Sequence, residues 1–144
     1  MATIELLTLA NHAEVQNGLL YLSGAEWDTI TRAFPEGGEP APQHFSVALS
    51  VVIPWNETNI PHHVELWIED EDAQLRLLDT SFDLETGRPP GKVPGSNTRS
   101  AIALTGDIQF PSAGGYRLRA RVGLDERNYT FRVIDEITRS PRPS

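Results

Sequence analysis

A strand-like run is followed by the segment PWNETN, residues 54–59, which places an aromatic ring among polar side chains. Asn, Glu and Thr side chains can hydrogen-bond a sugar or coordinate calcium, and Trp55 can stack on a ligand. The alternative is structural, because Asn and Thr side chains commonly satisfy the backbone of their own turn. The segment predicts either a binding loop or a self-stabilised turn in which Trp55 caps one end of the core.

Two further groups carry metal-ligating side chains. His63 and Glu65 project from the same face of a predicted strand, and His62 lies beside them. A zinc site needs a third and usually a fourth ligand, but the chain has only 4 histidines. The acidic run from Glu69 to Asp72 lacks the spacing of an EF-hand loop. We therefore expect the histidine group to face solvent and the acidic run to form a carboxylate-covered hairpin tip. We expect no metal or cofactor at either group.

A stripe of arginines, formed by Arg117, Arg119 and Arg121, alternates with apolar residues along one predicted strand. Such a stripe can clamp a phosphate or an acidic partner strand, or it can pair with carboxylates on neighbouring strands. Trp67 takes the outward position of its own strand, and a tryptophan on a polar sheet face is typical of a contact surface. The competing interpretation is that Trp67 lies beneath the connection formed by residues 31–43.

Sequence signatures of catalysis are missing. The chain has no G-x-S-x-G, no phosphate-binding G-x-x-x-x-G-K, no H-E-x-x-H and no G-x-G-x-x-G motif. It also has 0 cysteines, which excludes disulfides, thiolate zinc sites and cysteine nucleophiles. We expect no enzymatic activity. A metal-dependent enzyme is the remaining alternative, and it has few histidines to draw on.

The elements that position these groups are predicted by an alternation of apolar and polar residues. Every second position from Phe45 to Ile53 is apolar, and the pattern recurs in residues 64–68, 116–122 and 129–133. A period of two is typical of strands with one buried face. Residues 4–9 predict a further strand near the start of the chain.

A hairpin is predicted by Asn17-Gly18, which stands between the runs AEVQ and LLYL, because a type I′ turn needs positive φ at both central residues. The fold class is therefore all-β, an antiparallel β-sandwich of immunoglobulin-like or jelly-roll-like type with about seven to nine strands. Residues 1–136 are expected to form a single domain, and residues 137–144 a flexible tail.

Two Pro/Gly-rich segments interrupt the strands. Residues 31–43 predict a crossover between sheets, and residues 87–96 a second stiffened connection. Counting strand directions places the loops at 54–60 and 87–96 at the same end of the sandwich, which is where sandwiches commonly carry binding function.

The charge distribution limits the classes of partner. The net charge of −8 argues against nucleic acid and anionic membranes. Residues 1–75 hold 12 acidic residues and one arginine, whereas residues 76–144 hold 11 basic and 8 acidic residues. Acidic and basic strands either pair within one sheet or form two oppositely charged faces. The first residues lack a basic signal-peptide region, and no apolar run reaches membrane-spanning length, so we expect a cytoplasmic protein.

A family resemblance extends over the runs AEVQNGLLYLSGAEWD, VIPWNETNIPHH, IEDEDAQ, GRPPGKVPGS and FPSAGGYRLRARVGLDE, in that order. Together they resemble an uncharacterised family of small bacterial proteins, often actinobacterial, that is known as a domain of unknown function. Ala25-Glu26-Trp27-Asp28 stands where that family has Gly-Trp-Asp. The resemblance implies a compact, intracellular bacterial β domain and brings no activity with it.

We therefore expect a non-catalytic β-sandwich that acts through protein–protein contacts, as an accessory or assembly subunit or by self-association. The alternative is a small-ligand or carbohydrate-binding module that uses the 54–60 and 87–96 loops. Candidate contact residues at the loop end are Trp55, Asn56, Glu57, Asn59, Arg88, Pro89 and Pro90. Candidates on the sheet faces are Trp67, Arg117, Arg119 and Arg121.

Overall fold

The computed structural model describes residues 1–35 and 38–136, and most of these residues lie in β-strands. One 3-10 turn, Trp55–Glu57, interrupts them. The strands in this part of the chain are β1 (Thr3–Gln16), β2 (Leu19–Ala25), β3 (Thr29–Arg32), β4 (Gln43–Ile53), β5 (His62–Asp70), β6 (Arg76–Leu84), β7 (Thr98–Ile108), β8 (Gly114–Val122) and β9 (Asp125–Asp135). The predicted tail, residues 137–144, lies outside the described residues.

The strands form two hydrogen-bonded sheets, with the orders β2-β1-β4-β7 and β3-β9-β8-β5-β6. Neighbouring strands run antiparallel, except that β3 pairs with β9 in parallel. The predicted all-β sandwich is confirmed. The alternation does not predict the parallel pair, because it shows which face a side chain takes but not the direction of the neighbouring strand.

The core lies between the two sheets. Phe45 and the four apolar residues that follow it at every second position are at most 3% exposed. Val64, Leu66 and Ile68 on β5 are fully buried. Each such side chain contributes about 1.5–3 kcal/mol by leaving water. The buried faces predicted from the two-residue alternation are therefore confirmed.

The predicted hairpin is present, since Asn17 and Gly18 have φ values of 52° and 74°. It joins β1 to β2. β1 is one strand of 14 residues and not two separate runs. Its first part, Thr3–Ala10, pairs with β4, and its last part, Ala10–Gln16, pairs with β2.

Both Pro/Gly-rich connections lead from the five-stranded sheet to the four-stranded sheet. One joins β3 to β4, and the other joins β6 to β7. The predicted crossover at residues 31–43 is confirmed, although its first two residues belong to β3, its last belongs to β4, and residues 36 and 37 lie outside the described part. The described residues include no helix with the length and hydropathy that a membrane crossing requires.

Candidate functional site

The two predicted loops lie side by side at one end of the sandwich. His62 at the start of β5 is paired with Leu84 at the end of β6, so the segments before and after these strands meet. The amide of Asn59 donates to the carbonyl of Thr86 at 2.8 Å. We call residues 54–60 and 86–90 the loop end.

Arg88 holds the loop end together. Its guanidinium lies 4.1 Å from the ring centroid of Trp55. Its Nε donates to Thr58 Oγ1 and its Nη2 donates to the carbonyl of Trp55, both at 2.7 Å. Thr58 Oγ1 donates to the same carbonyl at 2.8 Å. Trp55 is consequently half-buried, with one ring face covered by an arginine of its own chain.

The remaining polar residues of the loop end divide into two groups. Glu57 is half-buried and pairs with the amino group of Met1, which holds the pKa of this carboxyl below its ordinary value. Asn56, Asn59, Pro89 and Pro90 are exposed. The structure thus brings the predicted contact residues together, and it also shows Trp55 and Thr58 engaged in the turn's own contacts.

The predicted histidine positions are likewise engaged within the chain. His63 Nδ1 lies 3.0 Å from Asp83 Oδ1, and His63 Nε2 lies 3.7 Å from Glu65 Oε1. His62 Nε2 lies 2.9 Å from the carbonyl of Glu57. Within residues 1–35 and 38–136, no cluster of three metal-ligating side chains occurs.

A second candidate surface covers the outward side of the five-stranded sheet. We call it the arginine face. It consists of side chains from β5, β6, β8 and β9 that strand pairing brings together, namely Glu65, Trp67, Glu69, Arg76, Arg117, Arg119, Arg121 and Glu126.

Trp67 lies at the centre of the arginine face and is only 3% exposed. Three guanidinium groups, those of Arg76, Arg119 and Arg121, lie 4.5, 5.4 and 5.5 Å from its ring centroid. The outward position predicted for Trp67 is correct. Arginine side chains, and not the connection at residues 31–43, lie over its ring, so a partner at this face would meet the arginines before Trp67 itself.

Glu69 lies beneath the same arginines and is 3% exposed. Its Oε1 accepts hydrogen bonds from Trp67 Nε1 at 2.7 Å and from Arg119 Nη1 at 3.1 Å, and its Oε2 accepts one from Arg117 Nη2 at 3.1 Å. Burial by itself raises the pKa of Glu69, but the hydrogen bonds from Trp67, Arg119 and Arg117 outweigh it and hold the pKa below the ordinary value. Glu69 is therefore ionised and shared by two arginines.

The burial of Glu69 corrects the prediction for the acidic run. The expected carboxylate-covered tip includes Glu71 and Asp72, which are exposed, but not Glu69. Asp70 stabilises the turn instead, since its Oδ1 accepts the amides of Gln74 at 2.9 Å and Leu75 at 3.3 Å. The register of β5 explains the difference, because it places Glu69 opposite Arg117 on β8.

The outer arginines also form ion pairs, as one of the two interpretations predicted. Arg121 Nε donates to Glu65 Oε2 at 2.9 Å, and this bond lowers the pKa of Glu65. Arg119 pairs with Glu126. The side chains of Arg117, Arg119 and Arg121 nevertheless remain 32%, 29% and 45% exposed. These pairs hold the arginines in place, and their side chains remain partly exposed, although the Nε atoms of Arg117 and Arg119 are buried.

An open concavity of about 490 Å³ adjoins the arginine face. Its lining includes Asp28, Glu71, Arg117, Thr130 and Arg132. Thr130 and Arg132 were not among the sequence-based candidates, and neither were Arg76 and Glu126. Their outward positions follow from the alternation, but only the strand order shows that they lie beside the arginine stripe.

Fold and surface together define a β-sandwich with an ion-paired face on one sheet and two contacting loops at one end. The family model for the family of unknown function DUF6941 matches residues 5–134. The chain therefore belongs to this family. No curated protein matches the chain.

Proposed function

We propose that the protein is a non-catalytic binding module that recognises a protein partner through the arginine face, as an accessory or assembly subunit. The observation that supports this most is the set of partly exposed guanidinium groups held over Trp67 and the buried Glu69. A bacterial, cytoplasmic setting is part of the proposal and rests on the family resemblance.

Preorganisation makes this surface suitable for binding. A flexible arginine loses rotamer freedom when it contacts a partner, at a cost of about 0.5–1.5 kcal/mol for each side chain. Here Arg119 is already restrained by Glu69, Glu126 and the Trp67 ring. Arginine is also among the residues that most often dominate binding energy at protein interfaces.

The balance of charge indicates the chemistry of the partner. Carboxylates of Glu65, Glu69 and Glu126 already pair with the three arginines of β8. A surface neutralised in this way does not favour a polyanion such as nucleic acid. It favours a protein surface that supplies carbonyl oxygens and single carboxylates to the exposed parts of these arginine side chains.

The test compares the two arginines that cover tryptophans. A partner captured from the source cells by the wild-type protein would be titrated against Arg119→Ala and against the matched variant Arg88→Ala. If Arg119 is a dominant contact, its loss weakens binding by about 2 kcal/mol, or about 30-fold, and Arg88→Ala binds like the wild type. Weakening by Arg88→Ala alone would overturn the proposal and assign recognition to the loop end.

The alternative, a small-ligand or carbohydrate-binding module at the loop end, has one favourable observation. Asn56 and Asn59, whose side chains carry amide groups that can hydrogen-bond a sugar, are exposed in the same loop as Trp55. Stacking of a sugar on Trp55 would have to use the ring face that Arg88 does not cover. A glycan array would support this alternative if it showed saturable binding that Asn56→Ala abolishes and Arg119→Ala leaves unchanged.

A further inference from the structure

The outer edge of β7 is a long strand edge with backbone groups free to pair. β7 pairs with β4 through eleven successive residues, from Thr98 to Ile108, without a bulge, and it ends the four-stranded sheet. Among the described residues, β4 is its only hydrogen-bonded neighbour strand. A regular edge of this kind is a template for one more strand.

The other edge strands differ from β7 in ways that discourage pairing. β3 has only four residues. β2 has seven residues and includes Gly24 at a φ of 61°. β6 presents Asp79 and Asp83 on its outward side, opposite Trp67 and His63 of β5. In β7, by contrast, the seven residues from Ser100 to Gly106 include neither a charge nor a proline, which are the usual devices that protect an edge.

The sequence of β7 is complementary to itself in the antiparallel direction. If two copies pair about Ala103, Arg99 of each copy lies directly opposite Asp107 of the other, and Ile102 lies opposite Leu104. Arg99 and Asp107 are the only charged residues of the strand. Within the single chain Arg99 pairs with Glu5 and Asp107 pairs with His44, and the side chains of both residues remain exposed, so each can also face a charge on a second copy. Both lie on the outward side, because the core residues of β4 are paired with the even-numbered residues of β7.

We propose that a second copy of this chain pairs with β7 in an antiparallel, two-fold arrangement centred on Ala103. The two four-stranded sheets then form one continuous sheet of eight strands. Opposite charges that face each other across an antiparallel pair are stabilising, and like charges are destabilising. A two-fold arrangement repeats each favourable pair twice.

The inner side of the same edge supports the pairing. A narrow crevice of about 90 Å³, lined almost entirely by apolar atoms, lies between β7 and Leu78 of β6. Its walls include Phe45, Val47, Leu104 and Ile108. In the proposed register, Ile102 and Leu104 of the second copy project toward this side. They would cover apolar surface that is only half-buried in the single chain.

This surface is separate from the arginine face, which lies on the other sheet. A failure of self-pairing leaves the proposed partner recognition intact, and a failure of Arg119→Ala to affect partner binding leaves self-pairing intact. The two proposals are therefore tested by different variants, self-pairing by those in β7 and partner recognition by Arg119→Ala.

Single cysteines test the register directly, because the natural chain contains none. In the proposed dimer the two Ala103 positions face each other at about 4.5–5.5 Å between Cα atoms, within disulfide range. Two Ala101 positions are displaced by four residues, or about 13 Å along the strand, so they cannot be bridged. Oxidation should convert Ala103→Cys to a covalent dimer and leave the control variants Ala101→Cys and Thr105→Cys monomeric.

Charge reversal supplies a second test that does not depend on oxidation. Sedimentation equilibrium should show the wild type as a dimer of two 15.9 kDa chains. Arg99→Glu and Asp107→Arg should each weaken dimerisation about tenfold or more, since each creates two like-charge pairs across the interface. Each also breaks an ion pair within the chain, and Glu5→Gln and His44→Gln, which break those pairs alone, should leave the dimer intact. The double variant Arg99→Glu with Asp107→Arg restores opposite charges and should dimerise like the wild type. Thermal melting of each variant identifies any loss of folding.

Three outcomes would overturn the proposal. The first is a wild-type protein that stays monomeric at millimolar concentration, which would leave the β7 edge to a different partner strand or to none. The second is a dimer that neither single charge reversal weakens, which would place the interface elsewhere. The third is cross-linking of Ala101→Cys or Thr105→Cys in preference to Ala103→Cys, which would exclude the register centred on Ala103.

Discussion

Among the described residues, arginine covers a tryptophan at two places, and the two places are built in different ways. At the loop end a single arginine, Arg88, stacks on a half-buried Trp55 and is held by Thr58 and a backbone carbonyl. At the arginine face three arginines surround a buried Trp67, and the ionised Glu69 lies beneath them.

The difference lies in what fixes each arginine. The loop end depends on neighbouring residues of two adjoining turns, so each contact can change with little effect on the sandwich. The arginine face depends on the register of four strands, which places a carboxylate where burial would be unfavourable without its donors. Disturbing the arginine face should therefore cost more stability than disturbing the loop end.

The largest expected effect comes from removing the buried ring. Trp67→Ala should lower the free energy of unfolding by about 3–5 kcal/mol, because a large buried side chain is lost and the guanidinium groups lose their support. Trp55→Ala is the matched control and should cost about 1–2 kcal/mol, since Trp55 is half-buried. Urea denaturation of both variants measures the difference, and equal losses would contradict the comparison.

Removing the buried carboxylate should have the next largest effect. Glu69→Ala removes the acceptor of the Trp67 indole and one acceptor each from Arg117 and Arg119, and it should cost about 3 kcal/mol. Glu69→Gln keeps the shape and one acceptor oxygen but removes the charge, so its cost should be smaller. Chemical denaturation distinguishes these outcomes. A negligible loss in both variants would show that Glu69 does not organise the face.

The same carboxylate should make stability depend on pH. The pKa of Glu69 in the folded protein lies below the ordinary value of 4.5. Its contribution is therefore fully present above pH 4.5 and is lost as the pH falls through the lower, folded-state pKa. The unfolding free energy of the wild type should decline over this acidic range more steeply than that of Glu69→Gln. Parallel curves would contradict a depressed pKa at Glu69.

The smallest effect is expected at the loop end. Arg88→Ala removes one cation–π contact and two hydrogen bonds at an exposed position, and it should cost about 1 kcal/mol. Arg88→Lys retains the charge but not the planar fork, so it should recover only part of this loss. Thermal unfolding of the two variants provides the measurement. A cost equal to that of Glu69→Ala would remove the distinction between the two sites.

The sequence predicts the fold better than it predicts the surface. Alternation alone identifies Val64, Leu66 and Ile68 as core residues, and it places Trp67 on the outward side, because a strand has only two faces. It does not show that Trp67 is buried, since the cover comes from Arg76 and Arg119 on two other strands.

Glu69 illustrates the same limit from the opposite direction. In the sequence it begins an acidic run typical of an exposed hairpin tip. In the structure β5 continues through Asp70, the turn begins at Glu71, and strand pairing sets Glu69 against Arg117. A charge that is buried by residues distant in the chain leaves no local signal in the sequence. The Asn17-Gly18 turn does leave one, because these two residue types themselves favour the positive φ values that the turn needs.

Site-specific photo-cross-linking compares the two surfaces most directly. A photoreactive residue would be placed at Thr130, beside the arginine face, or at Asn56, on the loop end, because both side chains are exposed. We predict that the cellular partner is cross-linked from position 130 and not from position 56, and that Arg119→Ala abolishes the product. Cross-linking of the partner from position 56 alone would contradict recognition through the arginine face.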